Sequence, residues 1–180
     1  MKIIEARSSD LRALLEVEKQ AFGEDEGPVI VELVKALLED PTAKPFLSLV
    51  ALDDQGVVGH VLFTKAQIAE NEDVPVSLLA PIAVAPDLQR KGIGGRLIAE
   101  GLRLLTERGI ALVFVLGHPE YYPRHGFKPA GLFGFQAPYP IPAEAADAWM
   151  VLALNPGALD RAKGRVLCAD KLARPQYWKE

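Results

Sequence analysis

The sequence predicts an α/β domain, a mixed and mostly antiparallel sheet flanked by helices, and three observations carry that expectation. Apolar runs at 46–52, 57–69 and 74–84 are separated by short polar turns, the pattern of an antiparallel meander. From 78 to 116 an apolar run, a glycine-rich turn, an amphipathic stretch and a second apolar run follow one another, which is a βαβ unit with parallel strands. The first 40 residues carry apolar side chains at helical spacing.

Taken in order, residues 2–7 form a short first strand. Ser8, Ser9 and Asp10 can cap a helix, and Leu11, Leu14, Leu15, Ala21 and Phe22 then recur at helical spacing. Gly23-Glu24-Asp25-Glu26-Gly27-Pro28 breaks that pattern and reads as a loop. A second helix follows, with Ile30, Leu33, Val34, Leu37 and Leu38 on one face, and stops before Pro41. Asp53-Asp54-Gln55-Gly56 and Asn71-Glu72-Asp73 are the turns of the meander. Pro81, inside the third run, has no N–H to give to a ladder and calls for a bulge, an edge or a local splay. The helix over 93–108 presents Ile93, Leu97, Ile98, Gly101, Leu102 and Leu105 on one face and ends at Gly109. Residues 111–116 form a buried strand. Residues 131–144, rich in Gly, Pro and aromatics, are expected as a loop over a substrate opening, and 148–154 as a last clear strand. The segment 155–180 has weak periodicity, with a short strand at 166–169. Trp178 is expected either to pack back on the domain or to join two copies in a homodimer. No repeat and no long linker divides the chain, so a single domain over 1–180 is expected.

Composition narrows the function. In 180 residues, 49% are hydrophobic and 24% charged, as in a globular protein with a real core. A net charge of −4 offers no basic footprint for nucleic acid. No apolar run approaches the roughly 18 residues of a membrane helix, and the start, MKIIEARSSD, has no signal-peptide apolar region. Cys168 is the only cysteine, so neither an intrachain disulfide nor a multi-cysteine metal site is expected. A cytoplasmic protein without a metal follows as the expectation. Charge is uneven: residues 1–40 hold ten acidic against five basic side chains, while 86–108 hold five basic against three acidic. Such ends would suit an anionic cofactor and a cationic amine, although each charge by itself reads as a solvated helix face.

The stretch from Leu78 to Arg96 is where chemistry concentrates. A strand, a glycine turn and a helix start form an anion cradle. The first N–H groups of a helix lack intrahelical partners, and the dipole favours negative charge there. Glycine also lets a phosphate approach the backbone. Arg90 and Lys91 add positive charge. A Walker A loop is excluded because Arg96-Leu97 follows the glycines. The dinucleotide fingerprint is excluded because Gly92, Gly94 and Gly95 do not have its spacing.

Gln89-Arg90-Lys91-Gly92-Ile93-Gly94 resembles the Q/R-x-x-G-x-G/A motif of the GNAT superfamily of acetyl-CoA-dependent N-acetyltransferases. Tyr122-Pro123-Arg124-His125-Gly126-Phe127 is similar to the Y-x-x-x-G-F that follows it in that family, so the resemblance covers roughly residues 1–130. It implies a GNAT-like sheet splayed near Pro81, with the pantetheine arm of acetyl-CoA against Ile82, Ala83 and Val84. The pyrophosphate would lie on Gln89, Arg90, Lys91, Gly92, Ile93, Gly94 and Gly95. It also implies Tyr122 as general acid toward the departing thiolate. Where the family often carries Asn after the buried strand, this chain has Gly117-His118-Pro119, which leaves that contact in question.

Acetyl transfer needs an oxyanion donor, a deprotonated amine and a protonated leaving group. A backbone N–H freed near Pro81 is the candidate donor. Glu24, Asp25 and Glu26 border the acceptor side if the resemblance holds. His118 is a further candidate for substrate binding or proton transfer. Tyr121 reads as a core or cofactor-stacking residue, and His60 and His125 as structural. Cys168 has no basic motif beside it, so direct transfer to a small-molecule or peptide amine in a ternary complex is expected over an acetyl-cysteine route. The other class of function the residues allow is a non-catalytic acyl-CoA-binding module for sensing or regulation.

Overall fold

The structure, a computed structural model, describes residues 1–179. Nine strands and two α-helices are built from the runs above: β1 (Lys2–Glu5), α1 (Leu11–Glu39), β2 (Leu47–Asp53), β3 (Gly56–Ile68), β4 (Val76–Val84), α2 (Ile93–Glu107), β5 (Leu112–Leu116), β6 (Lys128–Pro129), β7 (Phe135–Gln136), β8 (Trp149–Ala153) and β9 (Gly164–Leu167). The main sheet runs β1-β2-β3-β4-β5-β8-β6, with β9 on the far end of β3 and β7 beside β9. Its neighbours are antiparallel except β4 and β5, which run parallel across α2 as the βαβ reading requires, and the short β7 and β9, also parallel. This is the mixed, mostly antiparallel α/β architecture expected.

Alternation along the strands sends side chains to two layers. Leu62, Ala66, Val76, Leu78 and Phe114 pack with Leu33 and Leu37 of α1. Val61, Phe63, Val113 and Val115 pack with Leu97, Ile98 and Leu105 of α2. Gly101 allows α2 to lie this close, because a Cβ there would run into the ring of Phe63.

The sheet opens at Pro81. The β3–β4 register shifts so that Ala80 and Pro81 together face Leu62, a bulge. Pairing of β4 with β5 stops at Leu78–Phe114, while β5 continues to Leu116 against β8. Beyond Leu78, β4 therefore has a strand neighbour on one side only. N–H and C=O groups alternate sides along a strand, and the Ala85 N–H bonds to Val58 O on β3. By that alternation Ala83 also faces β3, and the backbone of Ile82 and Val84 faces the opening.

Two expectations change. The segment 23–28 is not a loop. Two helical halves within Leu11–Glu39 meet at Gly23, whose φ of 84° and ψ of −178° break the helix, and Glu24, Asp25 and Glu26 open the second half. The halves approach so closely that a Cβ on Gly27 would strike the Lys19 carbonyl. The break expected across six residues is thus confined to Gly23. The segment 131–144 is not wholly a loop either: Phe135 is buried, meets Phe114 edge-on at 5.1 Å, and sits on β7 beside β9. Trp178 packs back, edge-on to Trp149 at 5.8 Å, with its Nε1–H donating to Leu172 O at 2.9 Å. The tail is tied down by Asp40 and Thr42, which accept the N–H groups of Lys171 and Asp170.

Candidate active site

The opening beside β4 is the floor of a cleft of about 770 Å³. Ile82, Ala83 and Val84 line it from β4, and Gln89, Arg90, Gly92, Ile93, Gly94 and Gly95 from the turn and first helical residues. His118, Tyr121, Tyr122, Arg124 and His125 line it from the segment after β5, with Leu88 at the rim. The two motifs, a helix and a strand apart in sequence, thus form facing walls. Lys91 is exposed and lies outside the lining, and so do Glu24, Asp25 and Glu26, exposed on the kinked helix.

The turn is shaped by two left-handed residues, Arg90 (φ 64°) and Gly92 (φ 86°). Gly92 is the N-cap of α2, and no side chain caps the helix. The first intrahelical bond runs from Arg96 N–H to Gly92 O at 3.1 Å, so the N–H groups of Ile93, Gly94 and Gly95 precede the ladder. Gln89, the first residue of the motif, donates from Nε2 to Val84 O at 3.0 Å and so ties the turn to the open strand.

The facing wall is aromatic. Tyr122 is buried, edge-on to Tyr121 at 5.1 Å and to Phe127 at 5.6 Å. Its ring covers Gly117, where any Cβ would collide with it. That explains why no side chain stands where the family often has Asn. Tyr121 reaches across to α2: a Cβ on Gly94 would stand 2.7 Å from its hydroxyl. Burial pushes the Tyr121 pKa up, with Arg124 opposing, so the phenol stays a neutral hydrogen-bond donor. The Arg124 guanidinium lies 5.2 Å from the centre of that ring.

Two arginines, two histidines and a helix N-terminus line the cleft, and no carboxylate does. An anion is the ligand such a wall attracts. The sequence reading missed Arg124 and His125 as lining residues. The signal was present in the spacing, since a turn that brings Tyr121 and Tyr122 inward carries its next residues along the same wall.

A splayed mixed sheet with a glycine-turn anion site beside it defines an acyl-coenzyme A-dependent transferase. The chain belongs to the acetyltransferase (GNAT) domain family, whose model matches residues 2–130. It is 46% identical over 164 residues to the uncharacterized N-acetyltransferase YjhQ of Escherichia coli K12, covering 90% of this chain and 88% of that protein. Among solved structures, the N-acetyltransferase YhbS of Escherichia coli in complex with CoA superposes with a TM-score of 0.86 at 30% identity, covering 96% of this chain and 92% of that one. A GNAT acetyltransferase of Brucella melitensis in complex with acetyl-CoA gives 0.74 at 31%, covering 95% and 97%. The expected fold and the expected enzyme class, an acetyl-CoA-dependent N-acetyltransferase, are those of this family. No helix among the described residues is long and apolar enough to cross a membrane, and no cluster of metal-binding side chains is found among them.

Proposed function

We propose that this chain, acting as one cytoplasmic domain, transfers acetyl from acetyl-CoA to a primary amine of a small molecule or peptide by direct attack in a ternary complex. The observation that carries the reading is the continuity of the open β4 edge with the glycine turn. One carboxylate-free cleft joins the outward-facing backbone of Ile82 and Val84 to the N-terminus of α2. The pantetheine arm lies along Ile82, Ala83 and Val84, and the pyrophosphate rests on the Gly92–Gly95 backbone with Arg90 at its side. The amine lone pair attacks the thioester carbonyl. A β4 N–H donates to the developing oxyanion, the carbon–sulfur bond breaks, Tyr122 gives its proton to the departing thiolate, and the attacking nitrogen loses its proton to solvent, from which the phenolate is reprotonated.

Two observations support direct attack. Cys168 lies outside this cleft, and burial pushes its thiol up to about 11, far from a nucleophilic thiolate at neutral pH. The acceptor's own base is not assigned to Glu24, Asp25 or Glu26, whose place on the helix sets them outside the lining.

The test is thiol release from acetyl-CoA with a panel of polyamines, aminoglycosides, amino acids and peptide N-termini. Turnover with any amine supports the enzyme. Tight binding of acetyl-CoA with no turnover across the panel supports a sensing module instead. Tyr122→Phe should lower kcat and alter its alkaline limb; an unchanged pH–rate profile removes Tyr122 from the mechanism.

A further inference from the structure

We propose that the coenzyme site takes up a proton as it fills, and that His125 is the residue that receives it. The inference rests on the acetyl-CoA reading above and adds a group that contacts the diphosphate, together with a pH dependence of its binding.

The imidazole of His125 is half-buried on the cleft wall, over the first turn of α2. A Cβ on Gly95 would stand 3.1 Å from its Cε1 and 3.9 Å from its Nε2. That nitrogen is shielded from solvent and has no hydrogen-bond partner among the described residues. A shielded imidazole nitrogen without a partner is uncommon, and each such group calls for a reason. The ring lies over the first turn of α2, whose leading N–H groups precede the ladder, and a rotation of the ring would bring that nitrogen out to a diphosphate oxygen resting there.

The groups around His125 keep its ring neutral in the free protein. On its own turn, Arg124 is the charged neighbour, and the Tyr121 ring meets it edge-on at 5.0 Å. From α2 it faces glycine and the positive end of the dipole. Across the cleft stands Arg90, and the lining includes no acid. Burial first, and Arg124 second, hold its pKa below the ordinary 6.5. A diphosphate on the helix start reverses this balance by placing negative charge against the ring. The charged imidazole then donates from Nε2 to a phosphate oxygen, the stronger type of hydrogen bond. One proton passes from solvent to the ring and returns on release, and no covalent bond of the cofactor changes. Binding is then tightest in mild acid, and Kd rises by up to about tenfold per pH unit between the free and bound pKa values.

The test uses the full chain and dephospho-coenzyme A, which lacks the phosphomonoester that would itself titrate near pH 6. Calorimetry near neutral pH, in buffers of differing ionisation enthalpy, counts protons taken up per ligand bound. Net uptake, abolished in His125→Gln with binding retained, is the expected result. In parallel, the imidazole proton resonances of the wild-type chain report each of its three histidines, and the His125 pKa should rise on binding. Binding without uptake, uptake unchanged in His125→Gln, or an unmoved His125 resonance overturns the inference and leaves the acetyl-CoA reading intact. No binding of either coenzyme A or dephospho-coenzyme A overturns both.

Discussion

The Nδ1 of His60 and the Oε1 of Glu18 lie 2.5 Å apart, with neither side chain exposed to solvent. On its other side, His60 Nε2 is 2.9 Å from Ser48 Oγ. Glu18 comes from α1, Ser48 from β2 and His60 from β3, so one buried polar chain pins the helix before the kink to two strands. His60 is also the cross-strand partner of Ala83, within the open stretch of β4. Removing the middle member by His60→Ala leaves a buried carboxyl without its partner, which should cost about 3–5 kcal/mol. Ser48→Ala should cost only about 1 kcal/mol. Urea midpoints of the two variants check the order.

The same pair makes stability depend on pH. Burial raises the Glu18 pKa above its ordinary 4.5, and the bond to His60 offsets part of that rise. The folded chain thus holds a proton that the unfolded chain has released. The contribution of this group is fully present below the unfolded value and is lost as pH rises through the raised folded value. Thermal midpoints of the wild type relative to Glu18→Gln, from about pH 4 to about pH 9, should therefore fall with pH. A constant difference across that range would mean that Glu18 has the same pKa in the folded and the unfolded chain.

Gly92→Glu tests the anion cradle. The left-handed φ of 86° makes any side chain unfavourable there, by about 1 kcal/mol. The larger expected effect is on binding, since a carboxylate is added where the ligand is anionic. Isothermal titration should show coenzyme A affinity reduced by more than about tenfold, with a thermal midpoint only a few degrees lower.

Gly101→Ala should do the opposite. Its Cβ meets the Phe63 ring between α2 and the sheet, an overpacking that costs about 1–3 kcal/mol. Gly101 is outside the cleft lining, so coenzyme A affinity per folded molecule should be unchanged. A loss of affinity here would show that the N-terminus of α2 moves when its middle is lifted.

The features written locally were legible in the sequence. The meander, the βαβ unit and both motifs have patterns that fit within one or two elements, and the boundaries of β1 to β5, α2 and β8 fell within a few residues. The break at Gly23 was legible, but its confinement to one residue was not, because Gly27 and Pro28 also read as breakers and only the fold shows the second half starting before them. Glu18, Ser48 and His60 share no spacing, so only the fold brings them together. His125 read as a turn residue before Gly126, and its place on the cleft wall depends on how that turn docks against α2. The short strands β6 and β7 have two residues each, too few to show a period, whereas β9 overlaps the short strand expected at 166–169.

Phe135, Trp149 and Trp178 all pack on the side of the sheet opposite α2, around Phe114 and one another. All three lie beyond residue 130, where the match to the family ends. During synthesis, then, both motif walls and α2 leave the ribosome well before this cover does. Until Trp178 arrives, Phe114 and Trp149 lack part of their packing, and the nascent chain carries an apolar face that attracts chaperones or other copies of itself. Residues beyond 130 thus cover an apolar face around Phe114 that the family-matched segment by itself leaves open.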